Sequence, residues 1–240
     1  MALRDHVAEA FAAAAPEHFA WQTEGHFIAR QEGELVRRAF LPLGKRLLDV
    51  GCGEGATLFH LGEPAGAVGV DMFEEKLAFA RERFPACLFV ASACESMPFD
   101  AGTFDHVLVR DVVHHLDEPE RLVDECRRVL GPGGRIDVLE PCRYNPLILL
   151  HALAKPAERG ELRSTLPFLV RLLSRRFTVV ATARYQAMPI HRVILHPDIG
   201  RPALAEDPRV RTALAGLERL AEAIVPDIFW AYIHVRAVVS

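Results

Sequence analysis

The stretch LLDVGCGEG, Leu47 to Gly55, decides the fold. Its leucines and valine form a short apolar run typical of a parallel strand buried on both faces. Glycines follow at alternate positions 51, 53 and 55, and a helix-like run covers 56–61. Glycine is required where a chain turns sharply and where a ligand approaches the backbone, because a Cβ would block both. A helix start also leaves free N–H groups, so the stretch predicts a strand–turn–helix unit with a ligand at the turn.

A second strand-like run, 67–70, ends in Asp71, twenty positions after Gly51. A carboxylate at the tip of a second parallel strand can accept hydrogen bonds from both hydroxyls of a ribose. Asp71 can also cap the following helix, and the two roles are compatible. The pair of strands therefore predicts a ligand that contains adenosine.

The glycine pattern distinguishes between two adenosine ligands. A nicotinamide site usually carries G-x-G-x-x-G, whereas this chain has G-x-G-x-G with Asp49 two residues before the first glycine. A carboxylate there would repel a pyrophosphate but would attract the ammonium and sulfonium groups of S-adenosylmethionine. The pattern favours S-adenosylmethionine over a nicotinamide dinucleotide.

On these residues the sequence resembles the class I S-adenosylmethionine-dependent methyltransferases, specifically the small-molecule, type 11-like branch. The resemblance covers about 40–141 and implies an α/β, Rossmann-like three-layer sandwich. Its seven-stranded sheet is mainly parallel and its last strand antiparallel. It further implies one domain over 1–240, with a helical N-terminal segment at about 1–43 and a helical cap insertion at about 143–176. The motifs in order are LDVGCGEG, MPF (97–99), TFDHV (103–107), HHL (114–116) and RVLGPGGRIDVLEP (128–141).

The resemblance also implies roles for individual residues. The glycine turn and Asp49 would hold the amino-acid end of the cofactor, Asp71 the ribose, and Met72 the face of the adenine. The family usually has an acid at the position of Ala93, so adenine must be held here by backbone groups, by Ser92 or by Glu95, or less tightly. The residues expected to bind the cofactor are Asp49, Gly51, Cys52, Gly53, Asp71, Met72, Ala93, Cys94, Arg110 and His115.

The histidine pair after the fourth strand is the candidate for catalysis. Imidazole titrates near neutrality, so His115, or alternatively His114, could take a proton from an acceptor hydroxyl. The family often has histidine here without catalytic need, and methyl transfer requires mainly proximity and exclusion of water. A general base at His115 and a non-catalytic histidine both remain open. Glu140, at the end of the fifth strand, is interpreted as shaping the acceptor pocket or forming a turn.

No metal ligand is predicted. The five cysteines are scattered without C-x-x-C spacing, which indicates neither zinc nor a disulfide framework and suits a reducing cytoplasm. A histidine-rich loop contains His191, His196 and Asp198, but its His-x4-His spacing is not a known ligand pattern. The loop is interpreted as an acceptor-binding or structural element.

Composition restricts the partners. A net charge of −4 gives no electrostatic footprint for nucleic acid. The first residues carry charges where a signal peptide would be apolar, and the longest apolar run, 146–150, is too short to span a bilayer. A cytoplasmic location without transmembrane segments is expected, and the oligomeric state stays open. In the N-terminal segment the candidates to touch cofactor or acceptor are Trp21, His26, Arg30 and Gln31.

The predicted function is S-adenosylmethionine-dependent methyl transfer to a small or lipid-like acceptor, and the product is S-adenosylhomocysteine. No N-P-P-Y-type tetrapeptide follows the fourth strand, which favours oxygen or carbon over nitrogen. The region 142–173 would select the acceptor, and its apolar helix near 166–173 faces either the core, an apolar acceptor or a lipid surface. The alternatives are a non-catalytic S-adenosylmethionine-binding module acting as regulator or partner subunit, and a nicotinamide oxidoreductase.

Overall fold

The structure, a computed structural model, describes residues 12–24, 27–196 and 200–240 and has a seven-stranded sheet at its centre. The strands are β1 (Leu47–Val50), β2 (Val68–Asp71), β3 (Leu88–Ala91), β4 (Phe104–Arg110), β5 (Leu130–Pro141), β6 (Thr178–Tyr185) and β7 (Tyr232–Val238). Their spatial order is β3-β2-β1-β4-β5-β7-β6. Strands β1 to β5 pair in parallel, and β7 runs antiparallel to both β5 and β6. The expected mainly parallel sheet with an antiparallel last strand is confirmed.

Helices connect the strands and cover both faces of the sheet. The α-helices are α1 (Pro16–Thr23), α2 (Phe27–Phe40), α3 (Ala56–His60), α4 (Glu74–Arg83), α5 (Pro119–Val129), α6 (Pro146–Ala154), α7 (Leu166–Leu173), α8 (Ile190–Ile194) and α9 (Pro208–Ile224). Four 3₁₀ helices lie between them: η1 (Val113–His115), η2 (Pro156–Arg163), η3 (Pro202–Glu206) and η4 (Asp227–Phe229). Within the described residues, none of these helices is long and apolar enough to cross a membrane.

Alternation along the strands creates two separate apolar layers. Leu48 of β1 packs in one buried cluster with residues of α5 and α7, whereas its neighbour Leu47 packs in another with residues of α2, α3 and α4. Successive side chains of a strand point to opposite faces, so each face buries its own set of helices. The predicted three-layer sandwich is therefore confirmed.

Two helices differ from their predicted placement. The helix expected at 205–223 begins later, at Pro208, because the Asp207 side chain accepts a hydrogen bond from Arg209 N at 2.8 Å and caps the helix there. The first predicted helix, built on apolar residues from 7 to 12, lies almost entirely outside the described residues.

The insertion between β5 and β6 divides into two parts. Helix α7 begins after Thr165, whose hydroxyl accepts a hydrogen bond from Phe168 N at 3.3 Å, and it buries Leu169 and Leu172 in the central core. For α7 the core-facing interpretation therefore applies. Helices α6 and η2 lie instead along the carboxyl ends of β4 and β5, where they contribute to a large cavity.

Candidate functional site

The turn after β1 has the backbone conformation for which glycine is suited. Gly51 and Gly53 have φ angles of +72° and +53°. A Cβ on Gly51 would lie 2.3 Å from Val112 Cγ2, whereas a Cβ on Gly53 would meet no atom within 4 Å. Asp71 fastens the turn, because its carboxylate accepts hydrogen bonds from Gly53 N at 2.9 Å and from Phe73 N at 3.0 Å. The turn and Asp71 are thus one unit with open space above it.

Asp49 lies beneath this turn and is 1% exposed. Its Oδ2 has no hydrogen-bond partner among the described residues. Burial raises the pKa of this carboxyl to about 7, with Arg110 lowering it and Asp71 raising it. A buried carboxylate oxygen without a partner fits a position where a cation completes the site.

The adenine side of the site contains one carboxylate besides Asp71. Ala93 carries no acceptor, and the Ser92 hydroxyl already donates to Ser96 O at 2.9 Å. Glu95 lines the cavity, and its Oε1 is buried without a hydrogen-bond partner within the part of the chain that the structure describes. Among the options that the sequence left open, Glu95 offers a buried acceptor atom that no described residue uses.

A cavity of about 1220 Å³ extends from the glycine turn to α6, η2 and α8. Single ligand pockets usually measure roughly 300–1,000 Å³, so this cavity has room for two ligands. Trp21 lines it, whereas Arg30 and Gln31 do not, and His26 lies outside the described residues. Of the predicted cofactor residues Asp49 is not part of the wall, and the others line it: Gly51, Cys52, Gly53, Asp71, Met72, Ala93, Cys94, Arg110 and His115.

Glu140 anchors the turn that carries the histidine pair. Strand register places Arg110 opposite Leu139, so Glu140 falls beside the residues that follow β4. Its fully buried carboxylate accepts hydrogen bonds from Val112 N at 2.8 Å and Val113 N at 2.9 Å, and lies 2.7 Å from His114 Nδ1. Burial alone would raise the pKa of Glu140, but His114 and the backbone N–H groups hold it below its usual range.

His114 and His115 face a glutamate from the cap. His114 Nε2 lies 3.4 Å and His115 Nε2 4.0 Å from Glu158 Oε2, and the two imidazole centroids are 3.9 Å apart. Burial opposes charge on His114, yet Glu140 raises the pKa of His114 above its ordinary value. Burial, with His114, lowers the pKa of His115 to about 4. His115 is therefore neutral at pH 7 and only weakly basic.

Close backbone contact holds η2 against η1. A Cβ on Gly160 would lie 1.7 Å from the carbonyl oxygen of His114, so only glycine fits at this point. Nearby, Arg163 Nη2 donates a hydrogen bond to Leu116 O at 2.7 Å. These two contacts fix Glu158 beside the histidine pair, although it comes from a distant part of the sequence.

A buried ion cluster closes the same end of the cavity. Glu32 of α2 accepts a hydrogen bond from Arg110 Nη2 at 2.6 Å and another from Arg192 Nη2 of α8. Burial alone would raise the pKa of Glu32, but the two guanidinium groups lower it to about 2. Arg192 also lies over the ring of Tyr232, 4.9 Å from its centroid. The cluster ties the N-terminal helices to the sheet and places two arginines in the cavity wall.

In the described part of the histidine-rich loop, His191 and His196 contact different aromatic residues. His191 is buried with its ring edge-on to Phe27, and His196 packs near Trp21. Asp198 lies outside the described residues. Among those that are described, His114, His115 and Glu158 are the one group of three such side chains close enough to share a metal ion.

The sheet order, with parallel strands and an antiparallel last strand, is that of the class I S-adenosylmethionine-dependent methyltransferase fold. Comparison with known families agrees, since a profile described as "Methyltransferase domain" matches residues 48–137. These residues belong to that family, and the resemblance seen in the sequence is confirmed, as are the class of enzyme and the use of S-adenosylmethionine for this domain.

Two curated relatives cover more of the chain. The ubiquinone biosynthesis O-methyltransferase of Cronobacter sakazakii is 32% identical over 128 residues, which are 48% of this chain and 53% of that protein. A probable S-adenosylmethionine-dependent methyltransferase of Mycolicibacterium smegmatis is 32% identical over 156 residues, 61% of each chain. The chain spans 53% and 61% of the length of these two relatives. It spans 23% of the length of a phosphoethanolamine N-methyltransferase of Zea mays, to which it is 30% identical over 116 residues.

A solved structure matches nearly the whole chain. It is a methyltransferase from Thermotoga maritima, described as a possible histamine N-methyltransferase, with a TM-score of 0.64 and 21% identity. The match covers 97% of this chain and 98% of that one. At this identity the likeness demonstrates the fold.

Proposed function

We propose that this protein transfers the methyl group of S-adenosylmethionine to oxygen or carbon of a small, largely apolar acceptor. The observation that carries the proposal is the single cavity of about 1220 Å³, which joins the glycine turn to α6 and α8. Cofactor and acceptor can therefore occupy one continuous space. In-line displacement at the sulfonium then depends chiefly on proximity, alignment and exclusion of water.

The residues present fit the cofactor. Asp71 accepts from Gly53 N through Oδ2 and from Phe73 N through Oδ1, and each oxygen retains a lone pair for a ribose hydroxyl. Glu95 Oε1 would accept from the adenine amino group, in place of the acid that Ala93 lacks. Asp49 would balance the ammonium group from beneath the turn, because its free oxygen is a buried acceptor.

The acceptor end combines an apolar wall with a few polar groups. Leu147 and Ile148 of α6 and Val193 of α8 line this part of the cavity. An apolar body would lie against these side chains, while a hydroxyl or an activated carbon would face the histidine turn. The relative that is named as an O-methyltransferase supports an oxygen acceptor. The general-base role of His115 stays a prediction, and its low pKa makes it a weak base.

Calorimetric titration with S-adenosylmethionine, S-adenosylhomocysteine and NAD tests the proposal. We expect micromolar binding of the first two ligands, and no binding of NAD. Asp71→Ala should weaken binding at least about tenfold, since hydrogen bonds to charged groups contribute roughly 1.5–3 kcal/mol. Glu95→Gln should weaken it less, because the amide oxygen can still accept. Asp124→Ala, at an exposed acid paired with Arg176, is the matched control.

Absence of binding by both sulfur ligands would contradict the proposal. Turnover is then measured by mass spectrometry over hydroxylated aromatic and isoprenoid acceptors, as gain of one methyl group. Tight cofactor binding with no methylated product across the panel would favour the non-catalytic binding module.

A further inference from the structure

We propose that His114, His115 and Glu158 bind a divalent transition metal ion of the zinc type in the wall of the cavity. Whether this site binds a metal ion does not depend on the methyl-transfer proposal. Its use, to hold an acceptor oxygen next to the methyl group, rests on that proposed function.

The distances suit a shared ion. The 3.4 Å between His114 Nε2 and Glu158 Oε2 exceeds the roughly 2.7–3.2 Å of a good N–H···O hydrogen bond. Zinc lies about 2.0–2.2 Å from nitrogen and oxygen ligands, so two ligands of a tetrahedral ion are about 3.3 Å apart. His115 Nε2 lies 4.0 Å from the same oxygen, and to reach that separation the ring would rotate toward Glu158 and change its hydrogen bond with the Ala157 backbone.

The surroundings of His114 are those of a metal ligand. Its Nδ1 is hydrogen-bonded to Glu140, a partner that fixes the orientation of the ring and leaves Nε2 facing Glu158. Glu140 is in turn held by the backbone N–H groups of Val112 and Val113. This carboxylate–histidine arrangement orients the ligand before any ion binds.

The ligand set leaves room for a substrate atom. Two histidines and one glutamate leave the fourth position of a tetrahedral zinc ion open, as in hydrolytic zinc sites. All three side chains line the cavity, so the open position would face the acceptor.

A second pair on the same wall provides a matched control. His151 Nδ1 lies 3.4 Å from Glu161 Oε2, the same separation as in the proposed site, but no third ligand joins this pair among the described residues. If proximity of one histidine to one glutamate were sufficient, the two pairs would bind metal equally well.

The experiment titrates the full chain, after treatment with a chelator, with Zn²⁺ by calorimetry and with Co²⁺ by visible absorption. We expect one equivalent of each and the intense absorption of tetrahedral cobalt. Glu158→Gln and His115→Ala should lower zinc affinity by about 100-fold or more, because even indirect partners of a metal ligand contribute 10–100-fold. His151→Ala and Glu161→Gln should leave it within about threefold.

Absence of stoichiometric binding would overturn the proposal, as would equal losses in the control variants or unchanged affinity in Glu158→Gln. Circular dichroism of each variant confirms that it is folded. S-adenosylmethionine is titrated into the same samples: binding of cofactor without zinc would remove only the metal site, and binding of zinc without cofactor would remove only the methyltransferase proposal.

Discussion

Two buried carboxylates on β5, Asp137 and Glu140, differ in whether their hydrogen-bond partners reach the cavity. Asp137 lies within hydrogen-bond distance of His106 Nε2 at 2.8 Å, His234 Nε2 at 2.7 Å and Arg236 Nε at 2.7 Å. Those partners come from β4 and β7 and enclose the carboxylate completely. The Glu140 carboxylate is equally buried, but its histidine partner continues into the cavity.

This difference distinguishes the Asp137 network, which is structural, from the Glu140–His114 pair, which reaches the candidate functional site. The two residues are three positions apart on one strand, so their side chains point to opposite faces of the sheet. A carboxylate whose hydrogen-bond partners all lie within the protein core can only stabilise the fold. One whose histidine has its second nitrogen toward a cavity can also hold a ligand. We therefore expect substitutions of Asp137 to alter stability and substitutions of Glu140 to alter binding.

The largest effect is expected from Asp137→Asn. Removing this charge leaves two histidines and Arg236 around a neutral amide, and breaking a buried ion pair costs about 3–5 kcal/mol. The free energy of unfolding, measured in urea, should fall by that amount. The matched control is Asp124→Asn, at an exposed ion pair with Arg176, where a change below about 1 kcal/mol is expected. Equal effects at both positions would show that the enclosed network is not structural.

The same pair of proteins gives a pH test. Burial would raise the pKa of Asp137, but His106, His234 and Arg236 hold it below its usual range. A depressed carboxyl pKa stabilises the fold above the unfolded value, about 3.9, and this stabilisation disappears as pH falls toward the folded value. The stability difference between wild type and Asp137→Asn should stay constant from pH 8 to 5 and narrow below about pH 4. A gap that narrows already between pH 8 and 6 would contradict this assignment.

Glu140→Gln should lower the affinity for zinc more than it lowers the free energy of unfolding. The amide oxygen of glutamine can still accept from the backbone of η1, whereas its orientation of the His114 ring is weaker. Zinc affinity should fall about 10–100-fold, and the loss of unfolding free energy should be smaller than for Asp137→Asn. Calorimetry and urea titration on one preparation measure both quantities. Unchanged zinc affinity together with a large loss of stability would make Glu140 another structural carboxylate.

A third buried carboxylate, Asp49, should give an effect of opposite sign. Its pKa is raised to about 7, so the native state loses stability as pH rises from about 4 to 7 and remains constant above that. At pH 8, Asp49→Asn should raise the unfolding free energy of the ligand-free protein by about 1 kcal/mol or more. The same variant should bind S-adenosylmethionine more weakly. Reduced stability at pH 8 with unchanged cofactor affinity would exclude this role for Asp49.

The cofactor half could be predicted because its information is local. The glycine turn, Asp71 and the strands on either side lie within about 25 consecutive residues, and each follows from backbone sterics or hydrophobic periodicity. The missing acid at Ala93 was also visible in the sequence. The proposal of Glu95 as its substitute needed the structure, because only the structure shows that Glu95 Oε1 has no partner among the described residues.

The acceptor half could not be predicted, because its contacts join distant segments. Glu32 and Arg110 are separated by 78 positions, and Arg163 lies 49 positions from the backbone that it contacts at His114. Glu158 reaches the histidine pair only because η2 packs on η1. No spacing rule connects these residues. The one available signal was the register of β5 against β4, which could have placed Glu140 beside the histidine turn.

Gly160 has a consequence for the design of new specificities. Its lack of a side chain allows η2 to pack against the His114 carbonyl. Glycine should therefore be kept at this position in any redesign. Libraries aimed at new acceptors can vary the α6 residues that line the cavity, such as Leu147 and Ile148, and leave the contact between Gly160 and the His114 carbonyl unchanged. A library that varies Gly160 would mostly contain proteins in which η2 no longer packs against η1.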